Sequence, residues 1–253
     1  NTNKFFATFF NDTTIAYPLK KSVHFYIGVF LIILSGIKLY SGLQNSMDIQ
    51  FADEAAYIRF GLDLFEKMNR NWGPLYAVWY KGLSVFTTNT IQLYYLNFEV
   101  TAILIAVLLY VFLLRICVNP ALALVVAFSV LISDLNISVW PCISHFCVIL
   151  CLVALIINTY IKKTTYKCLV FTILCLACAY ARPEFYLSFV LMCIVTLISI
   201  YYYKETMGKK DIIYLSVGVI ILLVLHIIFR FPSNDFFGYD RGVAAFYQHY
   251  AWN

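Results

Sequence analysis

The chain has 253 residues, 62% of them hydrophobic and only 12% charged, with a mean hydropathy of +0.82. That composition excludes an ordinary soluble domain and points to a multi-span membrane protein. The net charge of +5 is modest and calls for no nucleic-acid partner, because membrane topology accounts for it.

Residues 1–21 are mixed, with an aromatic patch (Phe5, Phe6, Phe9, Phe10) followed by Pro18, Lys20 and Lys21. The next apolar run is too long for a signal peptide. It covers Val23 to Leu43 and is the first expected span, with Lys38 near its far end, where its stem can snorkel.

From Met47 to Gly82 the chain carries nine charged residues, its only long charged segment. Ala52 to Met68 has a helical pattern, with Phe51, Ala55, Ile58, Leu62 and Phe65 on one stripe. A neighbouring face carries Arg59, Asp63, Glu66, Lys67 and Arg70, so Arg59–Asp63 and Glu66–Arg70 can pair at i, i+4. Asp53 lies off that face, beside Tyr57, Phe60, Gly61 and Leu64. Asp53 and Glu54 also suit a plain helix start, with Asp48 as cap and two acids in the first turn. Leu75–Phe86 is aromatic and apolar, and is expected to lie in the membrane interface with Trp72, Tyr76, Trp79 and Tyr80 at headgroup level.

Six more spans are expected at Ile91–Leu114, Ala121–Ile137, Val139–Tyr160, Cys168–Tyr180, Phe185–Tyr203 and Ile212–Phe229. Cys168–Tyr180 is short unless it begins at Thr164. The connections are tight, so residues 1–253 form one helical membrane domain, with residues 45–90 as its first outer loop. The eight cysteines lie in or beside apolar segments; Cys175 and Cys178 form a CxxC, but without acidic or His neighbours they read as small buried thiols.

Seven spans impose an alternation. With a cytoplasmic N-terminus, the inner segments hold ten of the eighteen cations (Lys4, Lys20, Lys21, Arg115, Lys162, Lys163, Lys167, Lys204, Lys209, Lys210) but only three of the thirteen acids. The positive-inside rule selects that orientation. It puts the Asp48–Lys81 loop, Asp134, Arg182–Glu184 and the segment from Arg230 onward on the non-cytoplasmic side. Glu99 lies at membrane depth, where an acid usually faces a cavity or a partner. The last segment adds Arg241 and His249 among aromatics, a mix suited to an anionic headgroup. His24, His145 and His226 fall in different spans with no ligand spacing.

One membrane helix followed by Asp53-Glu54-Ala-Ala-Tyr57, an amphipathic helix, Trp72-Gly-Pro74-Leu-Tyr76, and later Ala-Arg182-Pro-Glu184 opening a helix, resembles the GT-C glycosyltransferases. The resemblance is to the superfamily of protein O-mannosyltransferases and lipid A aminoarabinose transferases, over about Val23 to His249. It implies a polyprenyl-phosphate sugar donor, a lipid, glycan or protein acceptor, and chemistry outside the cytoplasm, as in a bacterial plasma (inner) membrane. The family's catalytic acid matches Asp53. Family members have more spans, so this chain is expected to be the N-terminal catalytic portion of a longer protein. Displacing a lipid phosphate from a sugar needs a base for the acceptor and cations for the phosphate. A single displacement inverts the anomeric centre and needs one carboxylate. Asp53 is then the base; Arg182 and Arg241 are phosphate ligands; Glu54 and Glu184 orient them or touch the sugar; Tyr57 and His249 complete the substrate set. No cofactor is established, and a divalent metal is left open. The rival readings are a lipid or solute transporter, for which repeated halves and interrupted helices would be expected, and a purely structural membrane subunit.

Overall fold

The computed structural model describes residues 23–43, 54–64, 74–116, 119–133, 143–182, 184–205 and 207–230. Asp53, Arg241, His249, Trp72, Asp134 and the Glu66–Arg70 pair lie outside them. Among the described residues there are nine helices and no strands: α1 (Val23–Tyr40), α2 (Glu54–Leu62), α3 (Pro74–Leu83), α4 (Thr90–Ile116), α5 (Pro120–Leu131), α6 (Ile143–Tyr160), α7 (Thr164–Ala181), α8 (Phe185–Tyr203) and α9 (Lys209–Arg230). The protein is an all-α, multi-pass membrane protein. Five helices (α4, α6, α7, α8, α9) are long and apolar enough to cross a bilayer. The other two expected spans are apolar helices too, but shorter: α5 stops at Leu131, well before Ile137, and the apolar part of α1 runs Phe25–Tyr40.

Local chemistry sets the helix ends. Asn119 caps α5, its Oδ1 accepting from the amides of Ala121 (3.0 Å) and Leu122 (3.3 Å), with Pro120 in the first turn, where no amide hydrogen is needed. Asn89 does the same for α4 through the amides of Ile91 and Gln92. Gly42 takes φ +82° just past α1, a left-handed turn that glycine adopts without steric cost. Arg182 precedes Pro183 and is extended (φ −134°, ψ 123°), as the proline ring demands of its predecessor, so α7 ends there and α8 restarts at Phe185. With α7 beginning at Thr164, its 18 residues span about 27 Å, and Arg182 stands at the end of a full-length helix.

Successive long helices alternate in direction. Tyr40 at the end of α1 meets Phe98 early in α4 (ring centroids 5.5 Å) and donates to the Leu131 carbonyl closing α5 (2.9 Å). In a bilayer such a hydroxyl has no water to turn to, so the bond is what permits its burial. At the opposite end of the bundle, Lys163 and Tyr166 of the α7 start both bind Asp211 of α9; the lysine contact is 2.5 Å and the tyrosine contact 2.8 Å. The described cations Arg115, Lys162, Lys163, Lys167, Lys204, Lys209 and Lys210 bound the helices at this end. Large apolar side chains of α1, α8 and α9, such as Phe30, Leu191 and Ile220, face outward, as a lipid-facing surface requires.

Candidate functional site

The amphipathic helix predicted for 52–68 is shorter: α2 ends at Leu62, and Asp63 and Leu64 form a turn. Lys81 of α3 reaches the Leu62 carbonyl at 3.0 Å and so caps the end. Of the expected charged pairs, Arg59–Asp63 is present but long (3.9 Å) and exposed, hence worth little.

Glu54 opens α2, and its side chain reaches across to α3 and α4. It is 2% exposed, and its Oε1 accepts from the hydroxyls of Tyr76 and Tyr80, each at 2.5 Å. The Asn97 amide of α4 donates to both hydroxyls (2.7 and 2.9 Å) and lies 3.4 Å from the same carboxylate oxygen. Asn97 Oδ1 in turn accepts from the Trp79 indole at 2.7 Å. Both tyrosine hydroxyls therefore donate to one carboxylate oxygen and accept from one amide, which ties three helices at one point.

The tyrosines of α3 are turned into the protein: Tyr76 and Tyr80 are 0% exposed rather than facing lipid headgroups. A carboxylate cannot be buried without donors, and the tyrosines four residues apart on α3 present two hydroxyls on one face. Gly61 permits the approach: a Cβ there would meet the Tyr80 Cβ at 2.4 Å and the Ala77 carbonyl at 3.0 Å. Gly61→Ala is expected to push α2 off α3 and destabilise the protein by about 1–3 kcal/mol, read as a lowered thermal midpoint in detergent; an unchanged midpoint would refute the close packing.

The second half of the site faces the first. Arg182 donates through Nη1 to Ser144 Oγ (2.9 Å) at the start of α6, and through Nη2 to Glu184 Oε1 (3.0 Å). Burial alone would lower its pKa, but the Glu184 hydrogen bond and charge outweigh burial, and the net direction is upward. Tyr57 stacks edge-on against Tyr76 (centroids 5.0 Å), and Tyr76 leans on Phe146, two residues beyond Ser144. The structure thus brings Glu54, Tyr57, Arg182 and Glu184 to one end of the bundle. An apolar groove of about 290 Å³ runs between α3 and α7, lined by Pro74, Leu75, Val78, Ile173, Leu176, Ala177 and Tyr180.

Ser144, Tyr76, Tyr80, Asn97 and Trp79 were not singled out as site residues from the sequence. Only Asn97, an amide inside an apolar run, carried a usable signal. Glu99 is half-buried on the stripe of α4 shared with Ile103 and Tyr110, which packs on α1, and it does not join the Glu54 network. His145 stands edge-on to Phe98 (6.4 Å), whereas His226 packs on Tyr186 and Phe189. Among the described residues no three His, Cys, Asp or Glu side chains are arranged to hold a metal ion. No family model, curated protein or solved structure matches the chain.

Proposed function

We propose that this protein is a membrane glycosyltransferase of the GT-C type that moves a sugar from a polyprenyl-phosphate donor to an acceptor hydroxyl on the non-cytoplasmic face. The observation that carries the reading is that the two resembling motifs share one end of the bundle: Tyr57 packs on Tyr76, Tyr76 on Phe146, and Arg182 binds Ser144 two residues before Phe146, although the motifs are well over a hundred residues apart. The apolar groove between α3 and α7 adds support, since a lipid-linked donor needs an apolar surface for its chain near the site.

In this reading the acceptor oxygen attacks the anomeric carbon and the bond to the lipid phosphate breaks. The phosphate leaves with the electron pair, and the acceptor proton passes to Asp53. Arg182 neutralises the leaving phosphate, with Glu184 and Ser144 holding its fork in plane. Glu54, whose Oε1 accepts from Tyr76 and Tyr80, acts by holding the start of α2 in place rather than by touching the sugar. Arg241 and His249 complete the substrate contacts, and membrane lipids surround the bundle.

The test is transfer from a radiolabelled polyprenyl-phosphate sugar in membranes, with donor binding measured alongside. Arg182→Ala is expected to weaken donor binding by about 2–3 kcal/mol, the scale of a hydrogen bond to a charged group. Arg182→Lys should recover only part of it, because a point charge cannot reproduce the planar fork. Unchanged donor binding by a folded Ala variant removes Arg182 from the site. Sugar-lipid movement across the membrane with no covalent product favours a transporter instead.

A further inference from the structure

Two charges at the α1–α4 edge of the bundle take no part in the site described above. Glu99 lies on α4 sixteen residues before Arg115, about 24 Å along the helix. Arg115 belongs to the cation-rich end of the bundle, so Glu99 falls inside a hydrocarbon layer about 30 Å thick. It is only half-buried, and among the described residues it makes no hydrogen bond or ion pair. An acid at that depth is costly unless a partner receives it. Lys38 of α1 is exposed and likewise has no partner among the described residues.

The two charges stand at one level. α1 and α4 run antiparallel: a Cβ on Gly28 would meet Tyr110, one on Gly36 would meet Ile103, and the Tyr40 and Phe98 rings touch with centroids 5.5 Å apart. Lys38 is two residues from Tyr40 and Glu99 one from Phe98, both towards the cation-rich end, so their backbones differ in depth by only about 2 Å. Around α1 they diverge. Gly36 marks the side of α1 that faces α4, and Lys38, two residues on, is turned about 200° from it. Lys38 continues the outward stripe of Phe30, Leu34 and Ile37, each more than half exposed. Glu99, four residues before Ile103, is on the α1 side of α4. The body of α1, about 10 Å across, thus stands between the two charges of one chain.

We propose that two copies of this chain pair in the membrane through α1 and the edge of α4, with Lys38 of each copy meeting Glu99 of the other. A two-fold axis along the membrane normal leaves depth unchanged, so groups level in one copy are level across the dimer. The same operation forms both ion pairs together and carries the outward apolar stripe of α1 into the interface. Charge complementarity names the occupant: the acid needs a cation at its own depth, and the chain presents one on its adjoining lipid-facing surface. The inference does not depend on the transferase reading.

The experiment co-expresses the full chain with two different affinity tags and treats the membranes with dicyclohexylcarbodiimide, which enters lipid and activates carboxylic acids for attack by a neighbouring amine. Species carrying both tags are isolated, and their cross-linked peptides are mapped by mass spectrometry. The expected product is an amide between Lys38 of one copy and Glu99 of the other. Energy transfer between fluorescently tagged copies in liposomes then measures association. Glu99→Gln should weaken it by about tenfold, the scale of two interhelical polar contacts in lipid. Lys38→Glu and Glu99→Lys should each fail to self-associate, whereas a mixture of the two should pair, because both contacts in the mixed dimer again join opposite charges. The wild-type cross-link is read whether or not a variant folds. No Lys38–Glu99 bond in the doubly tagged species overturns the proposal, as does Glu99 joined to another protein or to a lipid amine. Variants that associate like wild type, or a mixture that fails to pair, overturn it equally.

Discussion

Asp53→Asn is expected to lower sugar transfer by about 10²–10⁴-fold, the range for loss of a general base, while donor binding and folding stay near those of the wild type. Asn keeps the size and shape of the side chain and removes only its ability to take the acceptor proton. Asp53, the base under the proposed function, immediately precedes Glu54, whose carboxylate is fastened to α3 and α4. Glu66→Gln, on the charged face of the same stretch, is the control and should cost little. If the two acids served only to start a helix, Asp53→Asn would cost about 0.3–1 kcal/mol of stability and leave transfer intact. Asp53→Asn turning over like wild type would therefore end the assignment of Asp53 as base.

Glu54→Ala should act differently, through stability first. It removes the acceptor of two fully buried tyrosine hydroxyls. At about 1–3 kcal/mol for each group left unsatisfied, the loss is about 2–6 kcal/mol. Unfolding in detergent would show it as a large fall in midpoint, with transfer reduced because α2 no longer holds its register. The decisive comparison adds Tyr76→Phe and Tyr80→Phe to a Glu54→Leu background. Replacing all partners by apolar groups of similar shape is nearly neutral in principle, so the triple variant should recover much of the stability that Glu54→Leu alone loses. A triple variant as unstable as the sum of its parts would show that the polar network is not what holds these helices together.

The difference between these variants traces the line between what was legible in the chain and what was not. The seven apolar helices, their order and several of their ends follow from hydropathy and from Asn119-Pro120, Gly42 and Arg182-Pro183. Each of those signals acts through a residue's own backbone or its immediate neighbours, so the linear order is enough. The Arg182–Glu184 pair was legible for the same reason, being two residues apart.

Partners from distant helices were not legible. Tyr76 and Tyr80 have the composition of an interfacial helix, and nothing local distinguishes an aromatic facing headgroups from one facing a buried acid. Their fate was decided by the rotation of α3 and by the space at Gly61, which together place both hydroxyls on Glu54. Likewise Ser144 is unremarkable at the start of an apolar run until α6 and α7 pack and bring it to Arg182. The amino-acid sequence by itself determined an all-helical membrane chain and its sequence of spans, because hydropathy and backbone preference are local. Only the tertiary structure decided which polar groups share a low-dielectric interior. There an unsatisfied group costs kilocalories, and its partner must come from whichever helix the packing places beside it.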